Sequence, residues 1–222
     1  MIVGIQYYPT GLPGGLQNNG TPAFNQFTEE LQLSGKTLND MLDWTVGLYY
    51  QHNTPKKNLT SQLTAIFGIP TMNSAQGDKL TSKAAYAQAT LDFGAFSPSL
   101  SGLKLTGGIR RTHDRREDYA DRYFPDLPGQ PCDYMPGSFP NCRYDFPARS
   151  FKATTYTIGL NYQVTESTML YATARRGFKS GGFNLASPPS DTLSAFAPEK
   201  VDDIEIGAKT RTTLGTVPIS AS

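Results

Sequence analysis

Residues 155–174, "TYTIGLNYQVTESTMLYATA", decide the fold class of this chain. Large apolar side chains alternate with small or polar ones in the first half, and the alternation resumes after the link "TES". The apolar positions of the first half are Tyr156, Ile158, Leu160, Tyr162 and Val164. A period of two predicts strands with one apolar face, and so short a link predicts that the two strands run antiparallel.

The same alternation recurs along the chain and predicts about eight strands in all. They are residues 1–8, 27–33, 42–50, 85–95, 103–111, 155–164, 168–174 and 201–209. Most of these runs exceed the usual globular strand of about 5 to 6 residues. They suit a tilted strand that crosses a bilayer, which needs about 9 to 11 residues.

The links between the predicted strands alternate between short and long. The short ones are "SGKTLNDM" at 34–41, "SPSLSG" at 97–102 and "TES" at 165–167, and the long ones are 52–82, 117–150 and 179–198. Tight turns at one end of a sheet and extended loops at the other are typical of outer-membrane barrels. A soluble sandwich has no reason to place its long loops at one end, and long structureless loops are uncommon in compact domains.

The polar faces of the predicted strands carry charges. These are Asp43, Asp92, Lys104, Arg110, Asp203, Glu205 and Lys209. Such charges cannot fill a dry core, whereas they suit a wet lumen behind a lipid-facing apolar wall. A soluble sheet with this face in water would need a second sheet, which no segment supplies. We therefore predict an all-β fold, an antiparallel up-and-down transmembrane β-barrel segment of about eight long strands.

Composition excludes other classes of protein. The chain has 222 residues, a net charge of +1 and a pI of about 7.7, so no bulk field favours nucleic acid. The mean hydropathy is −0.40, and no run approaches the roughly 18 apolar residues of a membrane helix.

We find no set of nucleophile, base and orienting group, so we do not expect an enzyme or a cofactor. His52 and His113 are too isolated to predict a metal site.

Cys132 and Cys142 are the two cysteines of the chain and lie in the loop "PCDYMPGSFPNC". A metal site would need more ligands nearby. We predict a disulfide that closes a small surface loop and requires an oxidising compartment.

The stretch "RRGFKSGGFN", residues 175–184, combines cations and glycines. A phosphate-binding loop would place Lys-Ser after the last glycine and open a helix, but here Lys-Ser precedes the glycine pair. We expect Arg175, Arg176 and Lys179 at the outer rim of a strand, where they contact lipopolysaccharide phosphates or an anionic ligand. The alternative is a solvated loop edge without such a contact.

Two longer segments carry a family resemblance. "YATARRGFKSGGFN" at 171–184, followed by "FAPEKVDDIEIGAKT" at 196–210, resembles the barrel of TonB-dependent outer-membrane receptors. "FTEELQLSG", "LDWTVGLYY" and "LKLTGGIRRTHD" resemble further strands of that barrel. The resemblance implies a Gram-negative outer-membrane protein for energised uptake of a scarce ligand, often a ferric siderophore. The family barrel has about 22 strands and a plug in its lumen. With about eight strands here, the resemblance implies an open, incomplete barrel.

The chain also departs from the family pattern. We expect residues 1–210 to be a partial barrel without a plug, and the tail "RTTLGTVPISAS" at 211–222 to lie outside the family. Such a fragment would be inactive alone, because the plug is what reaches TonB. The expected partners are outer-membrane lipid and lipopolysaccharide, and a ferric siderophore or other small ligand, but no nucleic acid. A small eight-stranded porin or adhesin and a soluble carbohydrate-binding domain are the alternatives.

Overall fold

A computed structural model describes residues 16–19, 23–57, 59–63, 70–133, 135–184, 195–214 and 217–221. The strands are β1 (Leu16–Asn19), β2 (Ala23–Thr37), β3 (Leu42–Lys57), β4 (Leu59–Leu63), β5 (Met72–Asp92), β6 (Leu103–Tyr123), β7 (Arg143–Asp145), β8 (Arg149–Gln163), β9 (Thr168–Lys179), β10 (Gly182–Phe183), β11 (Ala195–Phe196), β12 (Glu199–Leu214) and β13 (Val217–Ala221). Two 3-10 turns, Phe93–Ala95 and Pro98–Leu100, join β5 to β6. Over these residues, no helix is long and apolar enough to cross a membrane.

The long strands, followed by the five-residue β13, form one antiparallel meander in chain order. The sequence of neighbours is β2, β3, β5, β6, β8, β9, β12 and β13. Short β4 pairs with the far part of β5 and with β1, and β7 pairs with β6. Within the described part of the chain, β2 and β13 do not pair with each other, so the sheet is open, as predicted. The predicted strand at 1–8 lies outside the described residues.

Short turns gather at one end of the sheet, which we call the turn end. The backbone N–H of Asp92 donates to the carbonyl of Met41 at 2.8 Å, which joins the first two turns. Leu103 pairs with Tyr162, and Thr168 pairs with Thr210, so the third turn lies on the same side. The long connections leave from the opposite, outer end. This confirms the predicted segregation of short and long links.

The long connections are shorter than predicted, because β3, β5 and β6 extend further than their alternating runs. Both β5 and β6 contain 21 residues, so much of 52–82 and the start of 117–150 are strand. At the outer ends both faces carry polar side chains, so apolar–polar alternation no longer marks these strands. At the other end, β5 stops at Asp92 rather than at residue 95, because the Asp92 side chain accepts the N–H of Gly94 at 3.0 Å and caps a 3-10 turn.

The C-terminal boundary expected at residue 210 is not the end of a strand. β12 continues to Leu214, and its last residues pair with β13 from Thr210↔Ala221 to Leu214↔Val217. Threonine-rich strands pair through their backbones even where apolar side chains no longer alternate. Residues 211–214 therefore continue the same sheet.

One face of the sheet is apolar and uncovered. Ile204 is 78% exposed and Ile206 is 80% exposed, although both lie in a regular strand. Other large side chains on this face are also exposed: Leu31, Leu33, Val46, Leu48, Ile109, Ile158 and Leu160. A water-soluble monomer rarely exposes so continuous an apolar surface, whereas the lipid-facing wall of a barrel does.

Candidate functional site

The polar face carries aromatic rings that lie flat over glycines of the neighbouring strand. A Cβ atom on Gly47 would overlap the ring of Tyr86, and a Cβ on Gly207 would meet the hydroxyl of Tyr171 at 2.5 Å. The Tyr86 hydroxyl donates to Glu30 Oε1 at 2.6 Å, and the Tyr171 hydroxyl donates to Glu205 Oε1 at 2.8 Å. Each ring thus covers a glycine that lacks its own side chain. Tyr86 reaches across β3 to fix a carboxylate on β2, and Tyr171 fixes one on the neighbouring strand β12.

Arg110 lies in the middle of this polar face. Its guanidinium carbon is 4.9 Å from the ring centre of Tyr49 and 5.7 Å from that of Tyr86. Two aromatic faces stabilise the cation without neutralising it. The polar face therefore presents a fixed positive charge to whatever occupies the space in front of the sheet.

The rim cations expected from the sequence lie on β9 and are matched by carboxylates on β12. Arg175 contacts Asp203 at 2.7 Å and Glu205 at 3.4 Å. Arg176 holds Asp202 through two bonds of 2.6 and 2.8 Å, and Lys179 lies 3.8 Å from Glu199. Because β9 pairs with "EKVDDIE" in β12, these cations and carboxylates form a row of ion pairs between the two strands. The carboxylates compete with any external anion for the cations.

The glycine pair of "FKSGGFN" serves close packing. A Cβ on Gly181 would come within 2.5 Å of the Phe196 carbonyl oxygen and 2.6 Å of the Phe151 ring, and a Cβ on Gly182 would meet the Phe196 ring at 2.8 Å. These glycines let β10 and β11 fold close to the outer parts of β6 and β8.

A small hydrophobic core lies at the outer end of the sheet, and we call it the outer cap. Ala120 and Phe146 are almost fully buried with Phe183, while Tyr144 and Ala195 pack around them. The rings of Phe146 and Phe183 are 5.2 Å apart. The backbone N–H of Phe146 donates to the Asp118 carbonyl at 2.9 Å, which joins the loop to β6. The sequence pattern did not predict this cap, because its residues come from four separate segments.

Two carboxyl groups face each other beneath the outer cap. Asp78 and Asp118 are cross-strand partners, and Asp118 is only 4% exposed. Burial and the neighbouring Asp78 carboxyl raise the pKa of Asp118 to about 8. Arg116 contacts Asp78 at 2.6 Å and compensates one negative charge. Asp118 is the sixteenth residue of β6, beyond the roughly 9 to 11 residues that cross a bilayer.

The loop between β6 and β7 is held by a covalent bond. Cys132 and Cys142 form a disulfide with Cα atoms 5.1 Å apart, and Cys142 is fully buried. The rings of Tyr123 and Phe139 are 4.4 Å apart beside it. Within the described segments, no group of three or more His, Cys, Asp or Glu side chains could hold a metal ion. His52 instead shares a 3.0 Å hydrogen bond with Thr81.

The antiparallel meander and its uncovered apolar face are typical of part of the wall of an outer-membrane barrel. The chain matches the TonB dependent receptor-like β-barrel family over residues 3–222 and belongs to that family. The match includes residues 211–222, which the sequence analysis set apart. Barrels of this family lie in the outer membrane of Gram-negative bacteria.

Comparison with solved structures agrees with the fold. The chain is similar to the ferric yersiniabactin uptake receptor FyuA from Yersinia pestis, with 20% identity and a TM-score of 0.65. The similarity covers 90% of this chain but 28% of the receptor chain. No curated protein matches the sequence.

Proposed function

We propose that the chain is part of the barrel wall of a TonB-dependent transporter that takes up a scarce ligand such as a ferric siderophore. The observation that carries this proposal is the antiparallel meander with one uncovered apolar face and all its short turns at one end. The apolar face would meet lipid, and the polar face with Arg110, Tyr86 and Glu30 would line the lumen.

The outer cap would lie outside the cell in this arrangement. A disulfide between Cys132 and Cys142 suits an oxidising exterior. Loops that fold over a barrel mouth are well placed to meet an incoming ligand. We propose that the ligand first contacts this end, and that the chemistry of the ligand depends on the cap and on the rest of the receptor.

We further propose that this chain alone does not transport. The family match concerns barrel strands, and the chain aligns with 28% of the FyuA chain. Energised uptake requires a plug that TonB can act on, so strands of the wall alone would insert without coupling. The rim-contact role of Arg175, Arg176 and Lys179 remains a prediction. The two open edges, β2 and β13, do not favour the alternative of a closed eight-stranded porin or adhesin.

A replacement experiment tests the proposal. This chain would replace the aligned stretch of FyuA in Gram-negative cells that lack other ferric siderophore receptors, and the unmodified receptor would serve as control. We expect the chimera to enter the outer membrane and to accumulate labelled ferric siderophore only when TonB is present. The chain alone should fractionate with the outer membrane and give background uptake. Recovery of the chain in the periplasm as a soluble protein would contradict the proposal, as would uptake by the chain alone.

A further inference from the structure

The outward, apolar face changes character abruptly along β3, β5, β6 and β8. One cross-strand row is Val46, Ala87, Ile109 and Tyr156. The next row towards the outer end is Leu48, Ala85, Arg111 and Thr154, and the row after it is Tyr50, Lys83, His113 and Lys152. The side chains of this face thus change from apolar to cationic within two rows, and successive rows are about 7 Å apart.

Three of these cations have no carboxylate partner in the described parts of the chain. Arg111 donates to the Thr154 hydroxyl at 2.6 Å, and the Lys83 ammonium lies 6.0 Å from the centre of the Tyr50 ring. Both side chains and that of Lys152 are exposed. On the same face, Glu117 is engaged with Lys79 at 2.8 Å and with Arg115 at 3.2 Å. Glu29 lies in the same row as Lys83 but is separated from it by Tyr50 on the strand between them.

The pairing distinguishes this surface from the rim of β9. Arg175 and Arg176 each contact a β12 carboxylate within 3 Å, so their charges are largely neutralised. Lys83, Arg111 and Lys152 repel one another across about 10 Å or less, since neighbouring strands are about 4.8 Å apart. An anion with more than one charged group would relieve that repulsion.

The position of these cations along their strands places them at the level of the lipid headgroups. Arg111 is the ninth residue of β6, and Lys83 is the tenth residue of β5 counted back from Asp92. A tilted strand crosses the hydrocarbon in about 9 to 11 residues. These cations therefore lie where acyl chains end and headgroups begin, directly above side chains that suit acyl chains.

We propose that Lys83, Arg111 and Lys152, with His113 between them, bind the phosphate groups of lipopolysaccharide in the outer leaflet. We name this surface the phosphate-binding patch. Lipopolysaccharide combines acyl chains with at least two phosphates on a rigid disaccharide, which matches an apolar wall below several spaced cations. A phospholipid with one phosphate satisfies fewer of them. The proposal rests on the outer-membrane placement proposed above, and it assigns the lipid contact to residues other than Arg175, Arg176 and Lys179.

The test measures binding of diphosphorylated lipid A to the whole chain folded in zwitterionic detergent. The patch variant is Lys83→Gln/Arg111→Gln/Lys152→Gln. A matched control, Lys36→Gln/Lys104→Gln/Lys209→Gln, removes the same charge near the turn end, and a rim variant, Arg175→Gln/Arg176→Gln/Lys179→Gln, tests the alternative contact. The variant Lys83→Arg/Arg111→Lys/Lys152→Arg keeps every charge.

We expect the patch variant to bind diphosphorylated lipid A at least tenfold more weakly, while the turn-end control and the rim variant stay within twofold of the parent. The charge-preserving variant should retain binding. Dephosphorylated lipid A, phosphatidylglycerol and inorganic phosphate should bind the parent at least tenfold more weakly. Equal affinity of the parent and the patch variant for diphosphorylated lipid A would overturn the proposal. A loss in the turn-end control or the rim variant as large as that in the patch variant would also overturn it, as would a loss in the charge-preserving variant. Binding of phosphatidylglycerol to the parent as tight as that of diphosphorylated lipid A would overturn it too. Cell fractionation tests the outer-membrane placement separately and does not depend on this affinity.

Discussion

Asp118 is a buried carboxylic acid whose protonation should control the stability of the outer cap. Its pKa is about 8 because burial and the facing Asp78 carboxyl disfavour the anion. The unfolded side chain has a pKa of about 3.9. The folded state therefore holds more protons between these values, and stability is fully present at acidic pH and falls as pH rises towards about 8.

The first prediction concerns Asp118→Asn, which keeps the shape of the side chain and removes its charge. We expect this variant to unfold at a nearly constant temperature between pH 5 and 8.5, whereas the parent loses stability over that range. Thermal unfolding of the detergent-folded chain measures both. Asp145→Asn is the control, because Asp145 is exposed and pairs only locally with Arg143, and it should keep the slope of the parent. A parent whose stability is flat or rises over this range would contradict the assignment.

A second prediction at this scale uses two glycines with opposite surroundings. Gly47→Ala would force the Tyr86 ring off β3 and break its bond to Glu30. Gly107→Ala is the control, since a Cβ there has no atom within 4 Å. We expect Gly47→Ala to lower the free energy of unfolding by about 1 to 3 kcal/mol, and Gly107→Ala to change it by less than about 0.5 kcal/mol. Denaturant titration of both variants decides the matter, and equal effects would argue against the ring-over-glycine contact.

At the scale of the element, the loop between β6 and β7 depends on its disulfide. Loop-closure entropy for a separation of 10 residues gives about 2.7 kcal/mol of stabilisation. We expect no alkylatable thiol in the oxidised, denatured chain, and two after reduction. Reduction should speed hydrogen exchange of residues 123–142 while residues 155–163 in β8 stay protected. Two free thiols before reduction would contradict the prediction.

The sequence predicted strands only where apolar side chains on one face alternate with polar side chains on the other. Alternation predicted the hairpin of β8 and β9, because Ile158 and Leu160 lie on one face and Thr157 on the other. It could not reveal the outer half of β6, where Arg111, His113 and Arg115 take the positions of apolar side chains and both faces are polar. Alternation could not predict that Asp78 faces Asp118, or that Arg111 has no carboxylate partner among the described residues. Such contacts depend on the register between strands that are distant in sequence. The rim cations were found, but their β12 partners were not.

At the scale of the whole molecule, the open edges and the apolar face determine how the chain behaves. β2 and β13 leave unpaired backbone groups at the two sides of the described sheet, and such edges promote association with other strands. We expect the chain to be monodisperse in detergent and to aggregate without it. Size-exclusion chromatography after detergent removal measures this. A stable monomer in plain buffer would contradict the membrane assignment.

The most direct test of the membrane assignment is a scan of spin labels along β8, at the centre of the sheet. Single cysteines would replace Tyr156, Thr157, Ile158, Leu160 and Asn161 in turn in the chain reconstituted into bilayers, with the disulfide left intact. Labels at 156, 158 and 160 should collide with oxygen in the lipid and be shielded from a water-soluble nickel complex. Labels at 157 and 161 should show the reverse. Equal access of the nickel complex to all five positions would contradict a lipid-facing wall and favour a sheet in water.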